Sequence, residues 1–297
     1  MQSKLSKICL TCTAILAAVF SLQSSTTIYH HLGRKAGGMI TRSGVQHDTH
    51  PSQLPYSSKR LGGISLEITD DIYVHYINLK SRPDRRKSIV HQLSMMGIPF
   101  SRLDAVDVRE NKTALLDCFD QSTLNKCAGR QGVKESHVKV LKKMKEHHDG
   151  DQIVLVFEDD FVWLPHVDPL SIPTTLKGFV TLFPDWKVIG LSMNILAQQS
   201  TNVTVDVSRN TTSKSRVLMI NKAQCAHGFA VRASFLPVLL QTFTQCDVKK
   251  NNVAIDTCWF SLQAEGGWYG FSPQLGAQKP SYSDIEAMNV SYQLRTV

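Results

Sequence analysis

Apolar positions along the chain follow two periods. Ile72-Tyr73-Val74-His75-Tyr76-Ile77-Asn78-Leu79 and Ile153-Val154-Leu155-Val156-Phe157 are apolar runs rich in β-branched and aromatic residues. Such runs read as strands buried on both faces. Between them Ile89, Leu93 and Met96 recur at helical spacing, with Pro83 in the first turn and Gly97 as a stop. Residues 99–107 read as a second strand ending in acids, and Val138, Leu141 and Met144 set the register of a helix over 135–148. Strand, helix, strand, helix, strand predicts an α/β fold with a parallel core.

The pattern beyond residue 160 is less regular. Trp186-Lys187-Val188-Ile189-Gly190-Leu191 predicts another buried strand, and residues 197–214, rich in Ser, Thr and Asn, an exposed loop. Val217-Leu218-Met219-Ile220 and Gly228-Phe229-Ala230-Val231 predict two strands that pair with each other. Residues 233–243 read as a helix with Pro237 in its first turn, and 253–264 as a second apolar helix with Asp256 near its start. The polar segment 108–131, with Gly129, reads as a loop over a site, and 278–285 as a polar loop. No internal repeat is present.

Lys4 and Lys7 precede an uncharged apolar stretch over 8–22. Its length suits a signal peptide or, with Lys7 snorkelling, a type II signal anchor, which the poor cleavage site favours slightly. Residues 1–23 are therefore the targeting segment. Residues 24–70, low in aromatics and rich in Ser, Thr, Gly and His, form a flexible stem, and 71–297 the folded domain. Sequons at Asn111, Asn202, Asn210 and Asn289 fit a secretory compartment, the Golgi or endoplasmic reticulum lumen. Cys118, Cys127, Cys225, Cys246 and Cys258 are odd in number, so at least one thiol stays free or pairs between chains. Cys118 and Cys127 are close enough in sequence to bridge a loop. The net charge of +8 is spread over separate clusters, without the basic–aromatic interleaving of a nucleic-acid binder. A phosphate-bearing small molecule fits one such cluster better.

Chemistry enters where the most apolar strand ends in Glu158-Asp159-Asp160. Adjacent carboxylates beside a core repel one another and lose hydration, and they are easiest to accommodate near a cation. Hard ions such as Mg²⁺ or Mn²⁺ prefer oxygen ligands, and open α/β sheets bind ligands at the carboxyl ends of their strands. Alternate residues of an extended chain share a face, so Glu158 and Asp160 are the metal candidates, with Asp159 between them. Arg82, Arg85 and Arg86 crowd the start of the first helix, against its dipole unless an anion binds nearby.

Several pieces, in order, resemble glycosyltransferase family 25, the lipopolysaccharide and procollagen galactosyltransferases. They are Tyr76-Ile77-Asn78-Leu79 with Arg82 and Asp84-Arg85-Arg86, then Asp104-Ala105-Val106-Asp107, Gly132 with Ser136-His137, and Val156-Phe157-Glu158-Asp159-Asp160. Residues 226–231, Ile255-Asp256 and Ser283-Asp284-Ile285 resemble later blocks. Val133-Lys134-Glu135 departs from the family's usual apolar residues before Ser-His, which leaves the acceptor open. The resemblance implies a type A glycosyltransferase fold, a Rossmann-like, mostly parallel sheet flanked by helices. It implies a catalytic domain that moves a sugar, galactose above all, from a UDP-sugar to a hydroxyl of a glycan, protein or lipid, with Mn²⁺ or Mg²⁺ and inversion. Under it Arg82, Arg85 or Arg86 holds phosphate, Asn78 and Asp107 the nucleoside, and Ser136, His137 and Asp159 complete the donor site. Asp256 is the candidate base by family position. Two other classes compete: a Mg²⁺-dependent phosphoryl hydrolase, and a secretory binding protein on a decayed transferase fold. The leading acid of the cluster is Glu158 rather than an Asp nucleophile, which disfavours the first, and the intact acids disfavour the second.

Overall fold

A computed structural model describes residues 71–108, 124–209, 212–248, 253–283 and 288–290, with only the backbone described at 124–126, 281–283 and 288–290. The targeting segment, the stem, Cys118 and the sequons at Asn111 and Asn210 lie outside the described residues. No described helix is long and apolar enough to cross a membrane.

The elements are β1 (Ile72–Asn78), α1 (Pro83–Ser94), β2 (Phe100–Asp104), α2 (Leu124–His147), β3 (Ile153–Glu158) and β4 (Phe161–Trp163). Next come α3 (Ile172–Leu182), β5 (Val188–Asp206), β6 (Lys214–Arg232), α4 (Leu236–Gln245), α5 (Phe260–Ala264), β7 (Trp268–Ser272) and β8 (Gly276–Gln278). The short β9 (Ser281–Ser283) and β10 (Met288–Val290) pair with each other, and β4 pairs with β8.

Six strands form one sheet in the order β2-β1-β3-β6-β5-β7, and only β6 runs against the others. This is the expected α/β, Rossmann-like, mostly parallel sheet with helices on both faces. β3 shows why it is central. Val154 and Val156 face one core with α2 and α4, while Ile153, Leu155 and Phe157 face the other with α1 and α3. Burying a strand on both faces removes alternation from its sequence, which is why β3 reads as an unbroken apolar run.

Several expectations for individual elements are corrected. Helix α2 begins at Leu124, not near 135, so Gly129 and Gly132 lie inside it. At Gly132 a Cβ would sit 3.0 Å from the Val106 carbonyl, so the glycine permits backbone-to-backbone packing against the loop after β2. Most of the 197–214 loop is instead a long hairpin of β5 and β6. The runs at 217–220 and 228–231 belong to β6 alone and do not pair with each other; β5 pairs with both. The helix at 253–264 is a 3₁₀ turn, Ile255–Thr257, followed by the short α5. A disulfide between Cys246 and Cys258 ties that turn to the end of α4, and Cys225 is a free thiol.

β6 changes neighbours along its length. Arg216–Met219 pair with β7, and Gly228–Arg232 pair with β3. Between these stretches no strand flanks that edge among the described residues, and buried backbone groups need other partners there. Gln263 supplies them at Ala223, accepting from its N–H at 2.8 Å and donating to its C=O at 3.1 Å. Asp256 supplies the next, with Oδ2 accepting from the Cys225 N–H at 2.6 Å. Cys225 itself takes a left-handed conformation, φ 72°.

Candidate active site

A cavity of about 420 Å³ opens where β6 lacks a strand neighbour, at the carboxyl ends of β1, β2 and β3. One wall comes from the parallel strands: Asn78, the 105–108 loop, the first half of α2 and the three acids. The other comes from Asn194 of β5, 224–227 of β6, the Asp256 turn and Gln278 of β8.

The acids are held in place by a wedge. The Phe161 ring occupies the space where a Cβ on Gly228 would fall at 2.6 Å, and a Cβ on Gly276 would also enter it. It packs on Phe157 at 4.7 Å and Trp163 at 4.8 Å between centroids. Asp160 precedes this ring directly, so its position follows from close packing on both sides.

Each acid has a different environment. Asp159 is satisfied on both oxygens: Arg85 donates to Oδ1 at 2.9 Å and Asn78 Nδ2 to Oδ2 at 2.7 Å. Burial still raises its pKa, with Arg85 and Asn78 opposing. Glu158 Oε1 lies 2.8 Å from His137 Nε2. Burial would raise this carboxyl, but the hydrogen bond and charge of His137, with His227 and Arg85 adding to them, outweigh it, and its pKa is lowered. Asp160 Oδ2 accepts from Gln278 Nε2 at 2.9 Å and lies 3.3 Å from Arg85, while its buried Oδ1 has no partner. Burial, then the charge of Glu158, pushes Asp160 up to about 7. The cluster is therefore short of positive charge.

Around it, His137 is buried on α2 between Phe229, stacked at 6.2 Å, and Phe243, edge-on at 6.0 Å. Ser136 Oγ accepts from the Val106 N–H at 2.8 Å and donates to the Gly132 carbonyl at 2.6 Å, fastening the 105–108 loop to α2. Asp107 lines the cavity beside an apolar slot of Ala105, Val106, Val108 and Val133. On the far wall Asp256 Oδ1 is buried without a partner, and burial, with Glu158 adding to it, raises the pKa of this carboxyl.

A family model described as "Glycosyltransferase family 25 (LPS biosynthesis protein)" matches residues 70–259, well over half of the chain. The chain belongs to glycosyltransferase family 25. This makes it a glycosyltransferase. No curated protein matches it in a comparison of sequences. Among solved structures it is similar to a glycosyltransferase involved in the glycosylation of the major capsid of PBCV-1, at 8% identity over 73% of this chain and 99% of that one, TM-score 0.31. It is also similar to CMP:2-keto-3-deoxy-manno-octonic acid synthetase complexed with CTP, at 9% identity over 70% and 88%, TM-score 0.33. Superpositions at this level say nothing of chemistry.

Within the family 25 domain, the cavity brings together Asn78, Arg85, Asp107, Ser136, His137, Glu158, Asp159, Asp160 and Asp256. Arg82 and Arg86 are not in its wall; Arg82 pairs with Asp84 at 2.9 Å. Sequence reasoning missed Asn194, His227 and Gln278. His227 is buried, its Nε2 2.7 Å from Ser192 Oγ, and burial lowers its pKa to about 4 despite Glu158 nearby. It sits in the 226–231 block, and Gln278 opens the polar 278–285 stretch, so their neighbourhoods carried a signal that their own identities did not.

Among the described residues no cluster of three or more His, Cys, Asp or Glu side chains is arranged to hold a metal ion. The donors present still suit a hard divalent cation. Asp160 offers an unpartnered buried oxygen, Glu158 is ionised beside it, and such ions complete their shells with water and substrate phosphate.

Proposed function

We propose that this glycosyltransferase takes its sugar, galactose being the first candidate, from UDP-sugar, with Mn²⁺ or Mg²⁺ at Asp160 and Glu158, and that it inverts the anomeric centre. The observation that carries the reading is the charge deficit at Asp160, whose buried Oδ1 has no partner, in a cavity lined by four more acids. A divalent ion there would act as a Lewis acid towards the leaving diphosphate. The chain's own groups do the rest. Asn78 and Asp107 orient the nucleoside, with the apolar slot beside them for the base. Arg85, anchored by Asp159, presents positive charge at the phosphates. Asp256, its Oδ2 fixed by the Cys225 N–H, offers Oδ1 to the acceptor hydroxyl. As the acceptor oxygen bonds to the anomeric carbon, the carbon–phosphate oxygen bond breaks and the hydroxyl proton passes to Asp256. A base whose pKa is raised by burial holds that proton better than an ordinary carboxylate. The acceptor is a glycan, protein or lipid hydroxyl in the secretory pathway, reached through the apolar 8–22 segment as a type II anchor.

Titrating UDP by calorimetry with and without Mn²⁺ tests the reading. Tight binding only with the ion is expected. Equal affinity in both cases removes the ion from the donor site, and no binding of UDP in either case removes the donor assignment.

A further inference from the structure

One edge of the sheet carries a feature that sugar transfer does not use. Beyond Ile189, where its short pairing with β7 ends, β5 is hydrogen-bonded to β6 on one side. Among the described residues no strand pairs with its other edge over 194–206. Leu196, Ala197, Gln199, Ser200, Asn202 and Thr204 are exposed there. No charged residue and no proline occurs between Lys187 and Asp206, and the run is rich in Gln, Asn, Thr and Val. An edge of this composition offers unpaired N–H and C=O groups to a second chain, which proteins prevent with charge, proline, bulges or a cover. β5 has the bulge. Its register slips between Ser200 and Thr204, and Asn202 stands in the slip at φ 60°, a left-handed conformation that Asn tolerates better than most residues. The Asn202 N–H donates to Ser200 Oγ at 3.3 Å, which fixes the kink. The same Asn202, with Val203 and Thr204, forms a sequon whose Asn and Thr are both exposed. The Cys246–Cys258 disulfide independently marks an oxidising compartment, the setting in which sequons are used.

We propose that Asn202 carries an N-linked glycan that covers this edge. The co-substrate is a polyisoprenoid diphosphate oligosaccharide of the secretory pathway. The Asn202 Nδ2 bond to the anomeric carbon forms, the bond from that carbon to the diphosphate oxygen breaks, and the lipid diphosphate leaves. One Nδ2 proton passes to a base of the transferring enzyme. A bulky, hydrated glycan on the kink then denies a second chain the approach that ladder pairing requires.

The test uses the full chain expressed in a eukaryotic secretory host. Enzymatic deglycosylation in heavy-oxygen water converts each glycan-bearing Asn to labelled Asp, and peptide mass spectrometry should find the label at 202. Asn202→Gln and Thr204→Ala break the sequon at different atoms. Each should lose the mobility shift of one glycan and raise the high-molecular-weight fraction on size exclusion several-fold. Adding Gln199→Lys to either variant should restore the monomer peak, because charge is the alternative guard and would not repair a folding defect. An unlabelled Asn202, a glycan-free variant as monodisperse as wild type, or failure of the lysine to rescue would each overturn the proposal.

Discussion

The two walls of the cavity are built in different ways. The wall from β1, β2 and β3 starts from repeated local units, β1 and β2 each followed by a helix that packs back on the sheet and β3 by the short β4, so its side chains sit at strand ends by default. The wall from β6 exists because a strand loses its neighbour. Its backbone is completed by Gln263 and Asp256, which come from segments far along the chain. The first wall collects charge and the second positions it. Changes in the first should therefore remove chemistry with little loss of fold, whereas changes in the second should cost both.

The sharpest test of that contrast is Asp160→Asn. Transfer should fall by about 10³-fold, the scale of losing one strong electrostatic contact to the transition state. Stability should rise. Asp160 has its pKa moved from 3.8 to about 7 by burial and by Glu158, so the folded state holds this proton more tightly than the unfolded chain. The cost of ionising it is absent below pH 3.8, grows as pH rises to about 7, and is constant above that. In metal-free buffer the melting temperature of the variant should therefore exceed wild type by a margin that widens from pH 4 to pH 8. A variant less stable than wild type at pH 8 would break the comparison.

Asp256→Asn stands across the divide. Its turnover should drop by about 10²-fold or more as the base is lost, with donor affinity nearly unchanged in UDP titration. The amide can still accept from Cys225, so most of the wall survives. Gln263→Leu touches no substrate, yet it leaves the Ala223 N–H without its side-chain partner, while Trp259 Nε1 still donates to the Ala223 C=O at 3.0 Å. About 1–3 kcal/mol of stability should be lost for the N–H left buried and unpaired, read by urea denaturation. Turnover should fall as well, because Asp256 is anchored two residues further along β6. The smallest effect is expected from Ser136→Ala in the first wall, about 1 kcal/mol, with a weaker donor KM and unchanged kcat as the 105–108 loop loosens.

The same contrast explains what the sequence made legible. The parallel wall could be read because strand and helix alternate within short windows, and because Glu158-Asp159-Asp160 sets three acids in a row where the most apolar strand ends in a turn. The second wall could not. β5 is paired on one side beyond Ile189 and carries polar residues over 198–204, which gives an edge strand the composition of a loop. β6 looked like two strands because Lys222, Gln224 and Cys225 separate its apolar halves, and only the bond from Cys225 to Asp256 shows why the polar stretch is there. The 253–264 segment has the apolar content of a helix, but it is pinned as a turn by a disulfide and by that same carboxylate, neither of which has a local period. His227 and Gln263 were invisible for a simpler reason. A single buried His or Gln leaves no spacing to detect.

The Phe161 ring also has a dynamic consequence. A phenyl ring usually turns over by half a rotation many times during a brief opening of its surroundings. This one is pressed against backbone at Gly228 and Gly276, where no side chain can bend aside to let it pass. It can turn only when β6 and β8 move apart, and that separation also displaces Gln278 from Asp160. The flip rate of Phe161 is thus a clock for the breathing of the cavity. With the ring selectively labelled, its two edges should give separate NMR signals that merge on warming, and a bound donor should raise the temperature at which they do.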